Sequence, residues 1–404
     1  MSHRWFIGLS SGSSLSGVDA ALVRVEGTGL AMTPRLQHFV HQPYPREVRE
    51  SLRGAASGTP ASVRTVAMLH RVLGEMFAGS VRQLLDQANV DARHVLCVGC
   101  SGHTLWHEPE CRYPTTLNVG LSSAVAERSG LTTLSDPRAQ DVVVNGQGMP
   151  LTPLADWLLF RDAAESRVVV HLGGAATVLA LPADAAPKQV VSFHAAPCCL
   201  LLDGFMQRLT GGKEPFDNFG KHAVQGRCIE PLSERWLAHP LLQRRPPKVI
   251  SRRDFGEEFI DQAVHAAKQT DRSLHDLLCT ATHFVARAVV EALRRFVPWS
   301  PARVLLSGGG VRNGFLWRLL EQQLLPTPLT KLDACGIPCE ARKAVAFAVL
   351  VALTMDGVPG NLPAVTGASG PRLLGSFTPG TPENWSRCLA WMARQTALPR
   401  LAAA

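Results

Sequence analysis

Trp5-Phe6-Ile7-Gly8-Leu9-Ser10-Ser11-Gly12-Ser13-Ser14-Leu15-Ser16-Gly17-Val18-Asp19-Ala20-Ala21-Leu22-Val23-Arg24-Val25 opens the chain with an apolar run, a Gly/Ser turn and a second apolar run. Residues 5–9 and 18–25 read as two strands of a hairpin. A strand that fed a helix through its glycines would suit a P-loop or a dinucleotide fold. Neither G-x-x-x-x-G-K-[ST] nor G-x-G-x-x-G occurs, which argues against both. The same succession returns at mid-chain: strand 167–172, Gly173-Gly174, strand 177–181. A third glycine turn, Ser307-Gly308-Gly309-Gly310, follows strand 304–306 and precedes a helix at 313–325. Glycine lets main-chain N–H groups approach a phosphate closely. One such turn means little, because most only reverse the chain. Three of them on a chain that repeats its strand–turn–strand cycle suggest a duplicated α/β architecture with a nucleotide cleft between its halves.

Outward from these turns, helical spacing of Val66, Leu69, Val72, Leu73, Met76 and Phe77 predicts a helix over 63–88. Further helices are expected at 122–129, ended by Gly130, and at 200–209, 273–297 and 342–355. A buried strand is expected at 94–98. A last helix at 383–395 carries Trp385, Leu389 and Met392 on one face and packs across a neighbouring domain. At 404 residues the chain is long enough for two domains, and 46% hydrophobic and 18% charged residues are ordinary for a globular protein. The net charge of +8 suits acidic ligands, but the basic residues are scattered. The clusters Arg244-Arg245 with Lys248 and Arg252-Arg253 are short and lack interleaved aromatics. A solvated basic surface, and no nucleic-acid partner, is the expectation. No secretory signal is evident. The longest apolar run, 344–355, is short of the ~20 residues of a membrane span, so no membrane partner is expected. The ten cysteines are read as free thiols of a reducing, cytoplasmic compartment.

A set of ordered motifs gives these elements a family likeness. Gly8-Leu9-Ser10-Ser11-Gly12-Ser13-Ser14-Leu15-Ser16-Gly17-Val18-Asp19 resembles G-L-M-S-G-T-S-x-D-G-x-D, the opening of the anhydro-N-acetylmuramic acid kinases. Asp136-Pro137-Arg138-Ala139-Gln140-Asp141 with Gly146-Gln147-Gly148-Met149-Pro150-Leu151 resembles their D-F-R-x-x-D…G-G-Q-G-A-P-L. Leu172-Gly173-Gly174-Ala175-Ala176, Pro246-Pro247-Lys248, Ser307-Gly308-Gly309-Gly310-Val311-Arg312-Asn313 and the stretch from Gly357 to Gly367 match later motifs in register.

The resemblance implies two actin-like (ribonuclease H-like) α/β lobes, at 1–137 and 138–375, with the 383–395 helix packed back on the first. It implies ATP and Mg²⁺ as cofactors, an amino-sugar substrate, and hints at a homodimer. Asp141 matches the family's general base. Asp136, Arg138, Ser101 and His103 match substrate positions. Gly12, Ser13 and Ser14 would face the γ-phosphate, Gly173 and Gly174 the β-phosphate, and Gly308, Gly309, Gly310 and Asn313 the adenosine.

Departures from the family pattern fall in these sites. Ser16 and His194 stand where the family has Asp. Ala196 and Cys198 replace glycines, Cys199 replaces Asn, His171 and Thr177 replace Asn, and Lys343 replaces Glu. Cys100-Ser101-Gly102-His103-Thr104 stands for S-H-G-Q-T. Altered specificity, weakened catalysis, or a non-catalytic role as sensor or partner would each fit such changes. Cys97-x-x-Cys100-x-x-His103-x-x-x-His107 has zinc-like spacing, but Cys97 lies in an apolar strand whose residues three apart point to opposite faces. Core cysteines with loop histidines, and no metal ligated by protein, is the expectation.

Overall fold

The computed structural model describes residues 3–56 and 61–396; Met1 and the side chains of Arg252 and Arg253 lie outside the described residues. The strands in chain order are β1 (Arg4–Ser11), β2 (Gly17–Glu26), β3 (Thr33–Pro43), β4 (Val95–Cys100), β5 (His103–Glu108), β6 (Thr115–Val119) and β7 (Thr133–Ser135). They continue with β8 (Arg167–Leu172), β9 (Ala175–Leu181), β10 (Val191–Pro197), β11 (Arg303–Ser307), β12 (Leu329–Lys331) and β13 (Ser376–Thr378). Contacts group the chain into two compact units, Met1–Leu159 with Ala341–Ala404, and Phe160–Glu340. The boundary expected after residue 137 falls inside the first unit, to which 138–159 and 341–375 also belong.

In the first unit β1 and β2 form the opening hairpin, paired antiparallel from Arg4↔Val25 to Ser11↔Val18. The sheet order is β13-β7-β4-β1-β2-β3, with β4 parallel to β1 and β7 parallel to β4. One face is covered by the Val63–Ala88 helix, capped by Ser62 Oγ accepting from Thr65 N, with Leu69, Leu73, Phe77, Val81 and Leu84 inward. The Arg342–Met355 helix packs on β1, β2 and β4 and is buried nearly all round, as its unbroken apolar sequence requires. Its approach depends on two glycines that face each other across β1 and β4, Gly8 and Gly99. A Cβ on Gly8 would stand 1.8 Å from the Ala344 oxygen, and one on Gly99 2.5 Å from the Phe347 oxygen.

The second unit repeats the plan. Its sheet order is β10-β9-β8-β11-β12, with β8, β9 and β10 antiparallel and β11 and β12 parallel to β8. Counting strands within each sheet, both units run third, second, first, fourth, fifth, with β13 added as a sixth at the edge of the first, the actin-like α/β arrangement expected from the repeated hairpin. The core of this unit joins Val168, Val170, Phe193, Phe205, Trp236 and Phe284. The Leu274–Phe296 helix begins in a capping box, Ser273 with Asp276, each accepting from the other's N–H at 3.0 Å.

The Pro382–Thr396 helix belongs to the first unit. Its inner face is one residue round from the expected one. Asn384 and Cys388 are buried while Leu389 is exposed. Asn384 accepts from Thr132 N at 2.7 Å and donates to Leu96 O, satisfying main-chain groups at the start of β4 and before β7. Trp391 donates to Asp356, which also takes the Arg4 guanidinium and Gly29 N.

Candidate active site

In the first unit, Arg138 and Asp136 are the two ends of one directed chain of hydrogen bonds. Arg138 Nη1 donates to Thr104 Oγ1 at 2.9 Å, and Thr104 donates to Asn118 Oδ1 at 2.8 Å. Asn118 Nδ2 then donates to Asp136 Oδ1 at 2.8 Å. The β5–β6 ribbon supplies the two middle members. Asp136 has φ +49, a left-handed conformation that Asp tolerates and that turns its carboxylate off the end of β7. Burial draws the Arg138 guanidinium down to about 10, while Asp136 and Asp141 oppose the shift; it remains a cation at neutral pH. Sequence reading pointed to Asp136 and Arg138 but not to Thr104 and Asn118 between them.

Asp141 is fully buried at the short Ala139–Val142 helix. Its Oδ1 accepts from Asn361 Nδ2 and from Thr366 Oγ1, both at 2.7 Å. Its Oδ2 accepts from Gly148 N at 2.8 Å. Gly146 is pressed on the same carboxylate; a Cβ there would lie 2.1 Å from Oδ2. A carboxylate offers about four lone-pair sites. Three are filled by these protein donors, which leaves one on Oδ2.

His103 is buried, with Nδ1 2.9 Å from Ser11 Oγ; Tyr44 donates to the same hydroxyl at 2.6 Å. Burial holds the Tyr44 phenol well above its ordinary range, so it stays a donor. Ser101 turns its hydroxyl to Gly102 O. The turn after β1 is closed by Leu15 N on Gly12 O at 3.2 Å, and Ser14 and Ser16 hydroxyls lie 3.2 Å apart. Cys97 and His107 of the zinc-like spacing go to separate partners, Thr132 O and Gln147 O. No group of three or more His, Cys, Asp or Glu among the described residues is placed to hold a metal.

In the second unit, β8 and β11 are parallel neighbours with Ser307 opposite His171. The glycine turns at their carboxyl ends, Gly173-Gly174 and Gly308–Gly310, therefore come side by side, where open α/β sheets bind ligands. A Cβ on Gly308 would lie 2.6 Å from Leu172 O, and one on Gly310 2.6 Å from Leu172 Cβ, so glycine is what lets the turns close up. His171 Nδ1 meets Ser307 Oγ at 3.0 Å beneath them. Asn313 uses its side-chain oxygen to cap the Gly314–Leu324 helix, accepting from Leu316 N at 2.9 Å.

The altered 194–199 segment lies against the first of these turns. Cys199 N donates to Gly173 O at 2.9 Å, and Cys198 N and Leu200 N donate to Gly174 O. Ala196 and Cys198 are fully buried in the core, so their Cβ atoms fill core space. His194 Nδ1 accepts from Ile250 N at 3.0 Å, tying β10 to the segment after Pro246-Pro247. In that segment Lys248, 1% exposed, donates to Leu242 O at 2.7 Å; burial and the nearby Arg295 and Arg244 draw its ammonium down to about 8. Asp203, one turn into the Cys199–Thr210 helix, is pushed up to about 7 by burial. Lys343 belongs to the first unit, where burial pushes the Asp156 carboxyl up and the paired Arg342, with a small contribution from the Lys343 charge, opposes that shift.

The family model for anhydro-N-acetylmuramic acid kinase matches residues 4–380. An anhydro-N-acetylmuramic acid kinase from Gloeobacter violaceus is 38% identical over 379 residues, covering 92% of this chain and 98% of the relative. One from Salinibacter ruber is 37% identical, covering 93% and 96%. Among solved structures, a ROK family glucokinase from Streptomyces griseus in complex with glucose and AMPPNP aligns at 12% identity and a TM-score of 0.38, over 86% of this chain and 98% of that one. No helix among the described residues is long and apolar enough to cross a membrane. A family match that runs through both units, with relatives aligned almost end to end, identifies the chain as a kinase belonging to the anhydro-N-acetylmuramic acid kinase family.

Proposed function

We propose that the chain phosphorylates 1,6-anhydro-N-acetylmuramic acid from ATP while water opens the anhydro ring, as a step of peptidoglycan recycling in the cytoplasm. The oxygen of water bonds to the anomeric carbon, and the bond from that carbon to O6 breaks. O6 then takes the γ-phosphoryl group and ADP leaves. Water is a poor nucleophile at neutral pH, so a carboxylate must receive its proton. Asp141 is that acceptor. The observation that carries this assignment is its hydrogen bonding: three protein donors fix the carboxylate and leave one lone-pair site on Oδ2.

Asp136 and Arg138, held through Thr104 and Asn118, orient the polar groups of the sugar, with Ser101 and His103 bordering the same ribbon. Gly12, Ser13 and Ser14 meet the γ-phosphate and Gly173 and Gly174 the β-phosphate. Gly308, Gly309 and Gly310 meet the adenosine. Asn313 supports that turn through its cap, with its amide nitrogen left for the nucleotide. Mg²⁺ arrives on ATP as part of the substrate, held mainly by phosphate oxygens. A relative with impaired turnover, binding an amino sugar or nucleotide as a sensor or partner protein, is the second reading. It is favoured by the His194-to-Cys199 segment, in which the Cys198 and Cys199 amides are already bonded to the Gly174 and Gly173 oxygens.

A coupled ADP-release assay over a panel of anhydro and free amino sugars separates the two. ADP formed with 1,6-anhydro-N-acetylmuramic acid, and not with the free sugar, supports the kinase reading. Sugar binding without ADP release on any of them supports the second.

A further inference from the structure

The stretch from Gly357 to Gly367 matches the family in sequence, yet no ligand role falls to it. Its place in the fold supplies one. Asn361 and Thr366 send two 2.7 Å hydrogen bonds to one oxygen of Asp141. All three side chains are buried. The same stretch also holds the loop that carries Asp141. Gln147 N donates to Thr366 O at 2.7 Å, and Ser369 N to Val144 O at 2.9 Å. Asn361 is itself fixed from its far side, because its Oδ1 accepts from Arg372 N at 2.6 Å. Its amide group therefore cannot turn over without losing bonds at both ends.

We infer that Asn361 and Thr366 are positioning residues for the base: by occupying Oδ1 they direct proton acceptance to the single remaining site on Oδ2. This rests on the reading of Asp141 as the base. A rotation of the carboxylate by one lone pair would move the accepting site away from the water, and small misplacements of a reacting group are costly in rate. The Thr366 hydroxyl is the cleaner handle. Valine keeps its shape and removes the donor, and serine restores the donor.

The test is a double-mutant cycle on kcat for ADP formation with 1,6-anhydro-N-acetylmuramic acid. Thr366→Val should lower kcat about 10–100-fold, as expected for a misaimed group. KM for sugar and ATP should stay within about threefold, the mark of an interaction made in the transition state. Thr366→Ser should recover most of the loss. With Asp141→Asn already present, Thr366→Val should cost no further activity, because the group it aims is gone. A purely structural role would instead lower kcat in both backgrounds alike, or lower the melting temperature with kcat per folded molecule unchanged; either result overturns the inference while leaving the base in place. Wild-type kcat in Asp141→Asn, or no turnover by the wild type, overturns the base reading and this inference with it. If Thr366→Val does not fold, Asn361→Ser, which draws the second donor out of reach, carries the same cycle with the same outcomes.

Discussion

At the scale of single residues, the sequence motifs named the proposed site residues but not what holds them. Asp136, Arg138 and Asp141 could be read from one run, while Thr104, Asn118, Asn361 and Thr366 lie far off in sequence and meet them only in the folded chain. Ala196 and Cys198 stand where the family pattern has glycines. Both face the core, so Ala196→Gly should remove packing and lower stability by about 1 kcal/mol, the scale of one buried methyl plus glycine's chain entropy. Thermal unfolding checks it. Asp203 makes a separate prediction. Burial raises its carboxyl from 3.8 to about 7, so between pH 4 and 7 the folded chain holds a proton that the unfolded chain has lost. Stability due to this group therefore falls as pH rises through that window, and the full cost is present above pH 7. Asp203→Asn should be more stable than wild type above pH 7, with the difference shrinking towards pH 4. A difference in melting temperature that does not vary with pH would contradict this account of the group.

Among the elements, long helices with regular apolar spacing and strands made of apolar runs, such as β4, β8 and β11, were legible. The Val63–Ala88 helix has the ends expected from its sequence. By contrast, β3, β5 and β6 show alternation too weak or too brief to separate from loop. The Pro382–Thr396 helix was placed correctly but rotated by one residue, because a polar side chain leads its inner face. Asn384 is buried to serve main-chain groups, which apolar periodicity cannot anticipate. The seat of the Arg342–Met355 helix was invisible for another reason. Gly8 and Gly99 sit in different strands, and only register makes them neighbours. Gly8→Ala would force a methyl onto the Ala344 oxygen and should cost about 3 kcal/mol or more, at the upper end of overpacking penalties. Denaturant unfolding measures it, and a loss below about 1 kcal/mol, the lower end of such penalties, would show that the helix does not sit so close.

For the whole molecule, the repeated strand–turn–strand cycle revealed the duplication, since each hairpin starts a sheet with the same order over five strands. It could not reveal that residues 341–375, beyond the 383–395 helix already expected there, also belong to the first unit. That follows from the Arg342–Met355 helix and the 361–370 stretch returning to β1 and to the Asp141 loop. Residues 160–340 form one continuous unit with its own core, and expressed alone they should unfold cooperatively. Residues 1–159 alone should not, because the face of β1 and β4 that carries Gly8 and Gly99 is left uncovered. Circular dichroism melts of the two fragments check both statements. In the proposed reaction, turnover depends on one carboxylate. Asn at position 141 keeps an oxygen for Asn361 and Thr366 but presents an amide to Gly148 N–H, so Asp141→Asn should cost some stability as well as rate. The direct measurement is kcat for ADP formation on 1,6-anhydro-N-acetylmuramic acid, per folded molecule, for wild type and Asp141→Asn. The expected result is a fall of about 10²–10⁴-fold, the usual loss when a general base is removed; a variant that turns over at the wild-type rate would contradict the assignment of Asp141 as the base.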